Sequence, residues 1–215
     1  ALGWNLHNEK FFPLKDLFNE FKVRVSYGLN GNQAVGPYES ISRLGEFNMI
    51  SNKQTQAGYV PSRLGQENLG WESSKTLNFG IDFGIFKSRI SGNINIFKTN
   101  TTDLLLNRSI SAVHGINSIT QNIGETQNTG VELELHSRNI ITSDFTWSTS
   151  ANLAYTHNEI VSLYGELDEN GKEIDDVANA WFIGKPIRVN YDFVWEGTWQ
   201  LDEAEEAQKW GTKPG

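Results

Sequence analysis

Residues 21 to 30 alternate without a break, with Phe21, Val23, Val25, Tyr27 and Leu29 apolar against Lys22, Arg24, Ser26, Gly28 and Asn30. A period of two is the mark of a strand with one apolar and one polar face. A second run sets Leu77, Phe79, Ile81, Phe83 and Ile85 against Thr76, Asn78, Gly80, Asp82 and Gly84. The third, Ile90, Gly92, Ile94 and Ile96, falls on even positions, and a hairpin with loop residues Lys87 and Ser88 explains the change of parity. That turn places Ile85 opposite Ile90, Ile81 opposite Ile94 and Phe79 opposite Ile96, all on one face. Phe83 then lies across from Gly92, an aromatic ring set to cover a strand glycine.

A second hairpin joins Val131, Leu133 and Leu135 to Phe145, Trp147, Ala151, Leu153 and Tyr155, both sets odd, so its turn needs an odd length, for which Asn139 to Ser143 serves. The opposite face carries Glu132, Glu134 and His136, then Thr146, Ser148, Ser150, Asn152, Thr156 and Asn158. Connections of two kinds alternate: short turns near 87 and 140, long loops at 31–73, 101–127 and 159–186. Short turns at one end, long loops at the other and strands of roughly 10 residues are the pattern of an outer-membrane β-barrel. A soluble β-sandwich also alternates, because one face of each sheet is buried. Strand length favours the barrel: 75–86 and 144–157 run about twice the usual 5 or 6 residues. Tyr27, Trp71, Phe145, Trp147 and Tyr155 near strand ends suit interfacial girdles.

Helix is expected only in pieces. Residues 202–210 offer Asp202 as N-cap, Glu203 in the first turn, Glu205 and Lys209 four apart and Gly211 after the last turn. Residues 11–21 place Leu14, Leu17, Phe18 and Phe21 at helical spacing on the short-turn side. Residues 187–200 are open to two readings: Ile187, Val189, Tyr191, Phe193 and Trp195 alternate as a membrane strand would, while Asp192, Glu196 and the acids beyond suit an outer loop.

The net charge of −8 changes the picture, because 1–158 hold 13 basic and 13 acidic side chains and 159–215 hold 5 and 13. A neutral body with an acidic end argues against nucleic-acid binding, which needs clustered Lys and Arg. No apolar run approaches the roughly 20 residues of a membrane-spanning helix. With no cysteine, disulfides, thiolate metal sites and cysteine nucleophiles are excluded.

Candidate chemistry is thin. His7, His114, His136 and His157 are isolated from acids at ligand spacing and read as structural or surface residues. Asp168, Asn170 and Gly171 begin like a calcium loop, but its last ligand position falls on Asn179, so the stretch reads as a β-turn. Gly28 to Asn32 opens no helix and reads as a strand-end turn rather than a phosphate loop. No nucleophile is spaced with a base, so no catalytic, metal or cofactor-binding residue is assigned and no enzyme is expected. Trp181, Trp195 and Trp199 are packing aromatics or, alternatively, loop contacts for a ligand or partner.

Several stretches carry a family resemblance: Ala1-Leu2-Gly3-Trp4 before Glu9-Lys10-Phe11-Phe12, Val23 to Gly28 with Gly31-Asn32-Gln33, and Leu69-Gly70-Trp71-Glu72. Asp103 to Arg108, Asn122-Ile123-Gly124-Glu125, Asn128 to Glu132 and Trp181 to Ile187 continue it. Together they resemble the SusC/RagA-like TonB-dependent transporters of the Bacteroidetes outer membrane. The resemblance implies an all-β fold: a partial antiparallel transmembrane β-barrel, a piece of the C-terminal half of a plugged barrel of about 22 strands. Residues 1–215 would be an incomplete barrel segment, with 159–215 an acidic extracellular loop region and plug and TonB box absent from it. The whole protein would import a small-molecule nutrient, an oligosaccharide or a peptide, without a cofactor. Its partners would be a SusD-like surface lipoprotein, the TonB complex acting through the missing N-terminal part, and outer-membrane lipid. Lipid would meet Val23, Val25, Tyr27, Phe79, Ile81, Phe83, Ile94, Ile96, Leu133, Trp147 and Leu153, while Lys22, Arg24, Asp82, Glu132 and Glu134 would face plug and lumen. The readings set against it are a soluble secreted β-sandwich that binds glycans through loop tryptophans, and a non-energised porin.

Overall fold

The structure, a computed structural model, describes residues 1–213 except 34, 52, 112, 114 and 196, so His114 and Glu196 lie outside the described residues. In chain order the elements are β1 (Leu2–Asn5), β2 (Phe18–Asn32), β3 (Arg43–Ser51), β4 (Gln54–Arg63), β5 (Glu72–Ile85), β6 (Ile90–Thr102), β7 (Leu105–Ser109), β8 (Ser118–Asn122), β9 (Glu125–Ile141), β10 (Thr146–Ser162) and the helix α1 (Ala204–Lys209). One open six-stranded sheet runs β1-β2-β5-β6-β9-β10, and β3–β4 and β7–β8 are separate two-stranded ribbons. All pairings within these sheets are antiparallel. The ribbons sit inside the two long loops, between β2 and β5 and between β6 and β9. Short connections therefore gather at one end of the sheet and long ones at the other.

The first hairpin keeps the register that parity dictates, with Ile85 opposite Ile90, Phe83 opposite Gly92, Ile81 opposite Ile94 and Phe79 opposite Ile96. Lys87 and Ser88 both take positive φ, 55° and 58°, the geometry that matches a two-residue turn to strand twist. Gly92 is also required by the neighbouring strand: a Cβ there would collide with the Glu134 carbonyl oxygen of β9. In the second hairpin the odd residue sits elsewhere than expected. The strands continue to Ile141 and Thr146, and the register slips between Trp147 and Ser148, leaving Asn139 as the bulged residue. A strand bulge, not the turn, reconciles the parities.

Three further expectations are corrected. Gly28 to Asn32 is strand rather than turn, paired through Asn32 with Glu72. Residues 11–21 form no helix: Pro13 interrupts the run, Leu14 to Phe18 closes a single turn, and β2 starts at Phe18. Phe12, Phe18 and Phe21 instead cluster, with ring centroids 5.1 to 6.1 Å apart. Near the chain's end, Glu203 rather than Asp202 precedes α1, and Lys209 pairs with Glu206 at 2.6 Å, not with Glu205. Gly211 does take positive φ (70°) after α1, where Thr212 N–H donates to the Ala207 carbonyl at 3.0 Å. Among the described residues, 187–200 contain no strand, and Phe193 is wholly exposed.

Among the described residues the sheet has no second layer. Among the described residues the buried apolar ones are Ile116, Ile160, Leu163 and Ala207, none of them in the middle of the sheet. Accessible surface totals 16324 Å², where a compact protein of this mass would expose about 10,000 Å². A sandwich would have buried the apolar face against a partner sheet; here that face is open.

Candidate functional site

Register turns the alternation into rows that cross every strand. On one face run Trp4, Val23, Ile81, Ile94, Leu133 and Leu153, and beside them Leu2, Val25, Phe79, Ile96, Val131 and Tyr155. Tyr27, Phe83 and Trp147 occupy the same face nearer the strand ends. On the other run Asn5, Lys22, Asp82, Asn93, Glu134 and Asn152, and next to them Gly3, Arg24, Gly80, Asn95, Glu132 and Ala154.

The polar rows are wired together. Arg24 donates Nε–H to Asp82 Oδ2 at 2.8 Å and Nη2–H to Asp82 Oδ1 at 2.7 Å, a bidentate ion pair across β2 and β5. The same Nη2 donates to Asn95 Oδ1 at 3.0 Å. Asn95 in turn donates to Asn93 Oδ1 at 3.0 Å, and Asn93 to Glu134 Oε2 at 2.8 Å. A continuous ladder thus spans β2, β5, β6 and β9. Gly80 makes it possible, because a Cβ there would lie 2.9 Å from Arg24 Cζ and 2.8 Å from Asn95 Oδ1.

A second constellation sits at the long-loop end. Asn122 Oδ1 accepts from Gly70 N–H at 2.6 Å, while its Nδ2 donates to the carbonyls of Gly70 and Asp103, both at 2.9 Å. Glu72 accepts from Asn32 Nδ2 at 2.8 Å and from Leu105 N–H at 3.1 Å. The Trp71 ring lies over Gly31, where a Cβ would stand 2.7 Å from it. Gly124, at φ 92°, packs beneath Leu106 and the carbonyls of Ser162 and Leu163. Both long loops are thereby tied to each other and to the sheet.

The stretch after β10 folds back on that strand. Ile160 N–H donates to the Lys185 carbonyl at 3.0 Å and Gly184 N–H to the Ile160 carbonyl at 2.8 Å. Glu173 Oε1 accepts from Leu163 N–H (2.7 Å), Gly165 N–H (2.8 Å) and Ser162 Oγ (3.1 Å). Tyr164 donates to Asp176 Oδ2 at 2.6 Å. Partial burial opposes ionisation of Glu173 and Asp176, but these hydrogen bonds prevail and hold both carboxyls below the usual carboxylate range. Burial, then the Asp176 bond, pushes the Tyr164 hydroxyl up to about 12. Asp168 Oδ1 accepts from Asn170 N–H (2.8 Å) and Lys172 N–H (2.9 Å), as the β-turn reading required. The acidic stretch is partly a set of loop staples, joined to β7 by the Arg108–Glu166 ion pair.

Of the three tryptophans, Trp181 lines a cavity of about 220 Å³ with Leu104, Leu106, Ile160, Leu163 and Ile187, whereas Trp195 is 82% exposed and Trp199 half-buried. His7 Nδ1 accepts from Phe21 N–H at 3.1 Å, His136 bonds Ser150 Oγ at 2.8 Å and His157 approaches Glu159 at 3.8 Å. Among the described residues no group of His, Cys, Asp and Glu converges as metal ligands would. Asn93, Asn95, Asn122, Glu72, Glu173 and Asp176 carry the polar architecture, yet sequence reasoning gave them no role. Their signal was there only as membership of a polar row or of a family stretch.

Known proteins match this arrangement. A family model described as TonB dependent receptor-like, beta-barrel, covers residues 2–212. TonB-dependent receptor P26 of Formosa agariphila is 31% identical over 211 residues, which is 96% of this chain and 21% of that protein. TonB-dependent receptor SusC of Bacteroides thetaiotaomicron is 35% identical over 178 residues, 79% of this chain and 17% of its own length. The chain therefore spans about a fifth of the length of such relatives. Among solved structures, the RagAB peptide transporter superposes with TM-score 0.72 at 28% identity, over 86% of this chain and 20% of that one. The RagAB peptide importer in its open-open state gives 0.71.

Proposed function

Because the chain belongs to the TonB-dependent receptor-like β-barrel family, we propose that its sheet is one stretch of the wall of an outer-membrane importer of small nutrients. The observation that carries this is the sheet itself: six strands in register, one face with an apolar band across its middle that nothing among the described residues covers, the other polar and cross-linked. An apolar face of that extent is stable against lipid and unstable against water.

On this reading Val23, Val25, Tyr27, Phe79, Ile81, Phe83, Ile94, Ile96, Leu133, Trp147 and Leu153 meet lipid. Lys22, Arg24, Asp82, Glu132 and Glu134 look into the lumen, where the Arg24–Asp82–Asn95–Asn93–Glu134 ladder offers a plug both charge and hydrogen bonds. The long-loop end, including the acidic 159–215, is extracellular, and there a SusD-like lipoprotein would dock. The remainder of the protein would contain the plug and its coupling to the TonB complex. Its activity is transport rather than catalysis. The substrate class is oligosaccharide or peptide; the likeness to a peptide transporter supports the second.

The test uses the intact protein in its own host. It should fractionate with the outer membrane, and deletion of its gene should abolish growth on one class, oligosaccharide or peptide, as sole nutrient. Unchanged growth on both, or recovery of the protein in the soluble fraction, would overturn the reading.

A further inference from the structure

On the apolar face, toward the long-loop end, lies a groove of about 330 Å³ lined by Leu77, Phe79, Ile96, Val131 and Tyr155, with Lys98 on its rim. Thr129, next to Lys98 in the same cross-strand row, is short and keeps it open. Lys98 pairs with Leu77, and Lys75 stands two residues farther along β5 on the same face. The two lysines are thus diagonal neighbours, with backbones about 7–8 Å apart and side chains able to converge. Both are exposed, and neither takes part in the ion pairs found among the described residues. The acids on this face are engaged elsewhere: Glu159 accepts from Gln127 Nε2 at 2.8 Å and faces His157, and Glu125 accepts from Asn100 at 3.5 Å.

Two uncompensated cations directly above an apolar groove match one kind of ligand, a lipid whose phosphoryl group is anionic and whose acyl chain is long enough to descend from it. We propose that this groove is a binding site for a phosphorylated, acylated lipid of the outer leaflet, with its chain over Ile96 and Val131 and its phosphoryl group between Lys75 and Lys98. The proposal rests on the reading that this face meets lipid. It adds a specific site to what would otherwise be a uniform belt.

The experiment uses the intact protein purified from outer membranes, with native mass spectrometry of the complexes it forms with dioleoyl phosphatidic acid and dioleoyl phosphatidylcholine. The wild type should retain phosphatidic acid preferentially. The double variant K75Q/K98Q should bind it roughly 30-fold less, each lysine near a lipid surface contributing about a tenfold share or less. Phosphatidylcholine retention should not change. Ile96→Trp, which fills the groove and leaves the lysines in place, should also displace the lipid. Equal retention of the two lipids, retention unaffected by K75Q/K98Q, or full displacement by millimolar inorganic phosphate would overturn the site. A protein recovered outside the outer membrane would instead sink the underlying reading, so the two failures are distinguishable.

Discussion

Leu153 and Ala154 are neighbours on β10 at the same depth and on opposite faces, which makes them a matched pair for deciding what each face meets. Leu153 closes the row Val23, Ile81, Ile94, Leu133. On β5 the apolar positions run from Leu77 to Ile85, eight steps of about 3.4 Å, or roughly 27 Å of strand. Tilted by about 40°, that is roughly 21 Å of height, close to the 25 Å apolar band of such barrels, with Ile81 at its centre. Leu153→Lys therefore places a charge near the midplane and should cost about 2–4 kcal/mol, a factor of roughly 30 to 700 in the folded ratio. Ala154→Lys faces the other way, opposite Glu132, and should stay within about 1 kcal/mol. The contrast is sharp because Leu153 is 66% exposed. In a protein whose exposed residues meet water, Leu153→Lys would fall within about 0.5 kcal/mol. The assay is urea unfolding of the intact protein in lipid vesicles, followed by the shift of folded barrel on unheated gels. Equal midpoints for the two variants, or a larger loss for Ala154→Lys, would refute the assignment of faces.

Gly92→Ala should destabilise by about 1–3 kcal/mol, since its Cβ meets backbone that cannot give way, whereas Gly80→Ala, which meets only the mobile ends of Arg24 and Asn95, should change stability by less than about 1 kcal/mol; the same unfolding assay ranks them. Asn122→Ala leaves the Gly70 amide and two carbonyls without their partner, a loss of about 1–3 kcal/mol, and should accelerate amide exchange at Gly70 while leaving β6 and β9 protected. The loop after β10 should respond to pH at both extremes. Glu173 and Asp176 have lowered folded pKa values, so their stabilisation is present above the ordinary carboxylate range and is lost as pH falls below about 4. Tyr164 is raised, so its contribution is complete below about 10 and is lost as pH climbs toward about 12. Fluorescence of Trp181, compared with a Trp181→Phe background, reports both, and a signal flat from pH 7 to pH 3 would contradict the acid limb.

What could be read in advance follows from which forces leave a periodic trace. A face that meets a uniform apolar medium repeats every second residue, so Val23 to Leu29, Leu77 to Ile85 and Val131 to Leu135 announced their strands. The parity change at Lys87 and Ser88 announced the turn between two of them. Parity could not say where an odd residue is absorbed, since a bulge at Asn139 and a longer turn satisfy the same arithmetic. Glycine misled once. Gly28 and Gly31 suggested a turn, although the strand continues to Asn32 and the Trp71 ring lies over Gly31. At Gly92 the pairing with Phe83 holds, and the glycine also meets the Glu134 carbonyl of β9, a close approach set by a strand distant in sequence.

The loop-end architecture shows why the family stretches were legible as a signature and silent as chemistry. Leu69 to Glu72, Asp103 to Arg108 and Asn122 to Glu125 are separated by 30 and 13 residues. They meet because Asn122 holds both Gly70 and Asp103, and Glu72 holds both Asn32 and Leu105. Each bond joins a side chain to the backbone or amide of another stretch, so each fixes residue type without creating a reactive group. Trp181 to Ile187 does the same against β10, through Gly184 and Lys185 on Ile160. The stretches on which the resemblance was read thus hold the loops in place, and they are poor guides to cargo. On the proposed reading, selectivity would belong to what these anchors leave free, such as Phe193, Trp195 and the tip of the β3–β4 ribbon around Ile50, all of them exposed. Substitutions at the anchors should alter stability and loop exchange together, whereas substitutions at those free positions should alter which nutrient is taken up while leaving the barrel's unfolding midpoint unchanged.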